Sequence, residues 1–402
     1  QKQAKKNRGI LEISGCMESQ KAHLMYGLSG LFPCHLVIAA DEKSAKELYE
    51  DYRFYDKRVY YYPAKDLLFF QADIHGNLLI RQRMQVIRAL LEREDEITVV
   101  TSIDGCMDYL APLEKIEKQL IHFRNDSTLD MDKLTAALVH MGYERVGQVE
   151  MPGQFSIRGG IIDIYSLTEE NPWRIELWGD EIDSIRSFDA QSQRSLENLD
   201  DVTIYPAAEQ PMEKNGVSFL DYFKETETLF FLDELNHLEE NAKAVQEEFQ
   251  QSCENRKEKG EISLSGDWMC TWEELCHKIN DRNCVAMSLL DPKKSNWKIS
   301  GQFNITVKSM SSYQSSFELL VKDLKQYKKE GYRIVLLSGS RTRAERLAKD
   351  LQDEGLSAFY GKDSDRILEP GEIMVAYGHA RKGFEYPMVK FAVITETDIF
   401  GK

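Results

Sequence analysis

The first hundred residues alternate short apolar runs with amphipathic stretches. Residues 10–13, 36–39, 59–62 and 98–101 are compact apolar or β-branched runs that read as strands. Between them the pattern predicts a helix running through about Leu31, another from about Glu42, and a third over 81–92. Strands spaced by helices predict a parallel α/β sheet, because a parallel pair needs a crossover and a helix supplies it. The pattern changes near Leu113. Residues 131–141 read as one helix. From Gln148 to Tyr205 the runs are short and turn-bounded, at 161–165, 173–178, 182–188 and 202–205. That predicts a mostly antiparallel α+β insert.

The α/β style returns after Pro206. It has a strand at 228–232, a charged helix at 239–253 and a polar, loop-like stretch at 255–265. Residues 308–316 are Ser-rich and read as a linker. A last α/β unit follows, with helices at 317–329 and 341–354 and strands at 333–338, 372–376 and 391–396. Three units are therefore expected. An α/β domain is built from 1–113 and 207–312, an α+β domain over 114–206 is inserted into it, and a smaller α/β domain spans 313–402.

Charge narrows the function. The chain has 402 residues, is 42% hydrophobic and 29% charged, and carries a net charge of −16. A protein that grips phosphates usually shows a basic balance, so a protein partner is the default and direct DNA binding should be weak or absent. No apolar run approaches the ~20 residues that span a bilayer. The polar, basic start shows no signal peptide, and a cytoplasmic location is expected. The first residue is not Met, which fits a piece of a longer protein or a processed terminus. Seven cysteines without a C-x-x-C pair, and eight histidines without an H-E-x-x-H, predict reduced thiols and no metal site.

One motif carries a broken chemistry. After the first strand come Gly15, Cys16, Met17, Glu18, Ser19, Gln20, Lys21 and Ala22. A phosphate loop reads G-x-x-x-x-G-K-[ST]. Gly15 and Lys21 fit that frame. Gln20 replaces the glycine that lets the backbone wrap the phosphates, and Ala22 replaces the hydroxyl that ligates Mg²⁺. Phe230, Phe231, Leu232, Asp233 and Glu234 echo the strand that ends in a metal-holding Asp and a water-orienting Glu. They also read as a strand before an acidic helix start. The expectation is a degenerate P-loop domain with no catalysis and no cofactor of its own.

A longer match lies in the insert. Gly142-Tyr143, Gln148-Val149-Glu150, Gly153-Gln154-Phe155, Ile157 through Ile164 and Arg174 through Asp189 resemble the second domain of the UvrB excinuclease subunit and of transcription-repair coupling factors. Ala190, Gln191, Ser192, Gln193, Arg194 and Ser195 are similar to the coupling-factor version. UvrB keeps an intact phosphate loop and a Tyr-rich DNA-gripping hairpin; here the loop is broken and no such hairpin is recognisable over 64–79. The tail from Gly383-Phe384 to Gly401 resembles the close of the third coupling-factor domain. The resemblance covers nearly the whole chain, more loosely over 209–312. It implies a helicase-like frame, UvrA as partner, and a surface centred on Arg158, Arg174 and Trp178. It also implies that polymerase binding, DNA translocation, ATP and Mg²⁺ belong to domains absent from this chain.

The residues themselves bear on that surface. In a strand over 173–178, Arg174, Glu176 and Trp178 share one face and Ile175 and Leu177 the other. If the aliphatic pair faces the core, Trp178 stands outside beside Arg174, as an interface anchor does. Alternatively the indole covers a sheet edge or packs on the 131–141 helix. Between Gly142 and Pro206 there are five basic and thirteen acidic residues, a net of −8. Arginines there suit directed contacts to carboxylates or carbonyls better than a phosphate track. Two rival readings are an ATP-dependent DNA-loading enzyme and a plain DNA-binding module. Ser338-Gly339-Ser340 reads as a turn with Ser340 as helix N-cap, or else as an anion site. The basic stretch from His379 to Phe384 reads as a solvated loop, or else as an arginine-finger position.

Overall fold

The computed structural model describes residues 9–65, 76–93, 96–209, 216–259, 269–291, 297–362 and 366–401. They form a mixed α/β protein with three principal sheets.

The first sheet has seven strands in the order Ile299–Asn304, Gly9–Ser14, Asn283–Ser288, Thr228–Asp233, Cys34–Ala39, Ile97–Ser102 and Val59–Tyr62. Every pairing is parallel. The sheet interleaves two stretches of chain far apart in sequence, so neither stretch completes it alone. Helices Glu18–Ser29 and Glu42–Tyr52 cover one face, packing on Val37, Ala39, Val100 and Phe231. Helices Gly76–Glu92, Leu235–Glu258 and Trp272–Asn280 cover the other, on Leu36, Ile38, Val99 and Phe230. Burial on both faces explains why these strands read as unbroken apolar runs.

Residues 121–204 make the second sheet, in the order Ser195–Leu199, Glu181–Phe188, Trp173–Trp178, Ile161–Ile164, Gln154–Arg158 and Glu144–Arg145. It is antiparallel except at its last pair. Helix Met131–His140 starts at Asp130, whose carboxylate accepts from the Lys133 amide at 3.1 Å. Its Leu134 and Leu138 pack on one sheet face only. Where the chain enters and leaves, Ile121–Arg124 pairs with Asp201–Ile204.

The third sheet runs Lys308–Ser309, Phe384–Tyr386, Phe391–Thr395, Arg333–Ser338, Ile373–Tyr377 and Ala358–Tyr360. Helices Phe317–Glu330 and Arg341–Asp353 pack on the same side, against Ile334, Leu336, Ile373 and Val375.

Several elements differ from the sequence reading. The charged helix does not stop at 253 but runs Leu235–Glu258 and takes in the start of the stretch read as loop, whose part over 260–265 lies outside the described residues. Its polar end has few apolar positions, so hydrophobic period gives it no signature. The Ser-rich stretch is not all linker: Lys308–Ser309 pairs with Phe384–Tyr386, and Ser316 caps the next helix through the Leu319 amide at 3.4 Å. Ser340 does precede its helix, but its side chain makes no cap bond; the Ser338 hydroxyl accepts from the Ser340 amide instead. Most of the stretch searched for a hairpin, 66–75, lies outside the described residues. Among those described, no helix is long and apolar enough to cross a membrane. All seven cysteines are unbridged and five are buried.

Candidate functional site

The inserted sheet has one face packed and one face open. Phe155, Ile162, Ile164, Ile175 and Ile185 point to the helix-covered core. Strand alternation then puts their neighbours on the outer face. Register aligns two rows there. Ser156, Asp163, Arg174 and Arg186 form one, and Arg158, Ile161, Glu176 and Ser184 the other. Gly159 and Gly160 do not bulge the strand. They are the two residues of the hairpin between Arg158 and Ile161, with Gly159 at φ +62°. Arg158 therefore falls on the same face as Arg174.

One carboxylate organises both arginines. Asp163 is 1% exposed, and its Oδ1 and Oδ2 accept from Arg174 Nε at 2.7 Å and Nη2 at 2.9 Å. Arg158 Nη2 donates to the same Oδ2 at 2.7 Å. The Arg174 guanidinium also donates to Gln193 Oε1 at 3.0 Å and lies 4.4 Å from the Phe188 ring centroid. Its hydrogen bonds to Asp163 hold the Arg174 guanidinium above its usual range. The two arginines differ in freedom: the Arg174 side chain is 14% exposed, that of Arg158 49%. Beside them Arg186 pairs with Glu176, whose carboxyl is held below its ordinary range by that bond.

Trp178 ends its strand opposite Glu181 and is 83% exposed. It neither covers a sheet edge nor packs on helix Met131–His140, which lies on the opposite face. Leu177, one residue earlier, packs on the core. The three residues read from sequence thus share a face: a bare indole, a half-free guanidinium and a locked one. Two arginines share one buried carboxylate and Arg186 is matched by Glu176, so these side chains leave one net positive charge within an acidic domain.

Sequence reasoning did not single out Asp163 or Gln193. A signal existed for the first, since an Asp between Ile162 and Ile164 in an apolar strand must be paired to be buried. Gln193 gave none. It reaches Arg174 only because the turn after Phe188 puts it at φ +58°.

The second candidate is the loop whose sequence reads as a degenerate phosphate loop. Its three turn residues spend their amides inside the protein. Gly15 and Cys16 donate to the carbonyls of Leu289 and Ser288 at 3.2 and 3.0 Å, and Met17 to Gln20 Oε1 at 3.1 Å. Gln20 is fully buried, and its Nε2 donates to the Tyr386 hydroxyl of the third sheet at 2.9 Å. Ala22 is buried among Leu11, Met25 and Val37. Lys21 Nζ lies 2.6 Å from both Asp233 Oδ1 and Glu234 Oε1. Burial alone would lower the Lys21 value, but the two carboxylates more than offset this and hold it above the usual range. Burial pushes the Cys16 thiol up to about 12, so it stays protonated. The stretch read as a solvated loop is instead a clamp on this site. The Arg381 amide and Nε donate to buried Asp51, both at 3.1 Å, and the Lys382 amide donates to Ser19 Oγ at 3.1 Å.

Residues 121–209 match the family described as the UvrB interaction domain. The whole chain is similar to curated transcription-repair-coupling factors. That of Bacillus subtilis is 29% identical over 96% of this chain and 39% of its own length. That of Staphylococcus haemolyticus is 25% identical over 85% and 34% respectively, and that of Staphylococcus aureus strain NCTC 8325 24% over 86% and 34%. The chain spans about two fifths or less of the length of these relatives.

Proposed function

The chain is a relative of the transcription-repair coupling factors, and from that relationship we propose that it is a UvrB-like adaptor, without catalysis of its own, that recruits UvrA during transcription-coupled nucleotide excision repair. Its split α/β domain is a P-loop-type frame that has lost its nucleotide site. The inserted domain presents the docking face. Contacts to RNA polymerase and translocation on DNA belong to other parts of the longer protein.

The observation that carries this reading is the exposed Trp178 beside two arginines fixed by one buried carboxylate. A bare indole costs little conformational entropy to bury, and Arg158, which gives one Nη2 bond to Asp163, keeps further donors for a partner carboxylate. Support for the adaptor role over an enzyme comes from the loop, whose amides and lysine are already engaged. Support over a DNA-binding module comes from the −8 balance between Gly142 and Pro206.

The test is calorimetric titration of UvrA into the intact chain and into Arg158→Ala, Arg174→Ala and Trp178→Ala. Each variant is expected to lose at least ~1–2 kcal/mol of binding, as interface anchors commonly do. Undiminished affinity in all three would move the interface elsewhere.

A further inference from the structure

The third sheet has helices on one face only. Its other face meets helix Glu18–Ser29 of the first domain at Phe384, Tyr386 and Phe391, through Gln20 and His23, and stays open beyond that contact. Between them lies a cleft of about 870 Å³, within the range of small-molecule sites. Val335, Leu337, Met374 and Ala376 make its apolar floor and remain half-exposed. Arg333–Ser338 and Ile373–Tyr377 pair in parallel within this mixed sheet, and parallel strands are usually covered on both faces, so a half-exposed floor stands out.

The walls are aromatic and cationic. Tyr26 and Phe54 rise from the first domain, Tyr377 and His379 from the third, and all four are exposed. Phe54 and His379 meet across the cleft with ring centroids 5.4 Å apart. Arg341 lies over the Tyr377 ring at 5.5 Å, and Lys362 lines the same wall. Neither cation forms an ion pair among the described residues, and Glu345 is the one acidic side chain among those lining the cleft. On a chain of net charge −16 this is a local reversal of sign. The cleft also reaches the carboxyl ends of Arg333–Ser338 and Ile373–Tyr377, where open α/β sheets take their ligands.

We propose that this cleft binds a nucleotide: a flat heteroaromatic ring stacked among Tyr377, Tyr26 and Phe54, with its phosphate held by Arg341 and Lys362. Exposed rings together with two cations that form no ion pair among the described residues match that chemistry, whereas an apolar peptide would make no use of either cation. The site is distinct from the degenerate loop, whose Lys21 is buried against Asp233 and Glu234. It is independent of the UvrA reading.

The shared chemistry has two sources, a free nucleotide or the end of a single strand. Photoactivated 8-azido-AMP followed by peptide mapping tests the first on the intact chain. Anisotropy of fluorescein-labelled (dT)12 tests the second. Saturable binding of either probe is expected, weakened at least fivefold in Tyr377→Ala and in Arg341→Gln, with the azido label on peptides containing Tyr26, Phe54 or Tyr377. Both variants lie on exposed side chains and should bind UvrA as the parent does. Label on residues 15–22, binding unchanged in both variants, or no saturable binding of either probe would overturn the proposal.

Discussion

Asp163 is the residue on which the proposed docking face turns. Arg174 spends Nε and one Nη2 on it, and Arg158 adds another bond, so three charge-assisted bonds converge on two buried oxygens. Asp163→Ala would free both guanidinium groups and remove their shared register. UvrA affinity is expected to fall about tenfold or more, as for a direct anchor. Arg174→Lys should lose the bidentate geometry and behave nearly as badly, since a point charge cannot replace the planar fork. Trp178→Ala should leave thermal unfolding of the chain unchanged, because an indole that is 83% exposed contributes little packing. A drop in its melting temperature comparable with that of Arg174→Ala would show that the indole is structural. Arg174 and Trp178 were legible in sequence because a strand's period of two sorts core from surface; Arg158 came only from the family resemblance, since the two glycines after it left its parity open. Asp163 was half-legible as a charge in an apolar run. Gln193 was not, because its reach depends on a left-handed turn.

At the scale of elements, the loop before helix Glu18–Ser29 has its amides and its lysine committed to contacts inside the protein. Restoring the motif with Gln20→Gly and Ala22→Ser should not restore micromolar Mg²⁺-ATP binding in calorimetry. Lys21 would still face two carboxylates, and the Gly15 and Cys16 amides would still be engaged. The added hydroxyl at 22 would enter an apolar pocket and cost about 1–3 kcal/mol of stability. Micromolar binding by the double variant would refute this.

The same helix carries a pH dependence. His23 Nδ1 lies 3.0 Å from the Tyr386 hydroxyl, with Phe384 and Phe391 around its ring. Burial holds its value below the usual 6.5. The unfolded imidazole gains a proton as pH falls past about 6.5 while the folded one resists. The contribution is therefore complete above that pH and is lost as pH falls towards the lower folded value. Between pH 7.5 and 5.5 the parent should lose more thermal stability than His23→Gln; an equal loss would remove His23 as the cause. This clamp had no local signature. Gln20 and Tyr386 are separated by hundreds of residues, and the 379–384 stretch looks solvated when read alone.

Across the whole molecule, layers were easier to read than edges. Strands buried on both faces, such as Cys34–Ala39, announce themselves as apolar runs. The edge strand Ile299–Asn304, with Gly301 and Gln302 half-way along, exists because Gly9–Ser14 pairs with it. Sheet partnership of that kind is invisible to periodicity. Acidity acts at this scale too. With a net charge of −16, saturable binding of duplex DNA at 0.15 M salt is not expected, and a steep salt-dependent duplex affinity would count against the adaptor reading. The most direct test of the docking face is hydrogen exchange of the intact chain with and without UvrA. Protection concentrated in 156–163 and 174–181 is the predicted result. Protection absent there and concentrated on another surface would contradict the account.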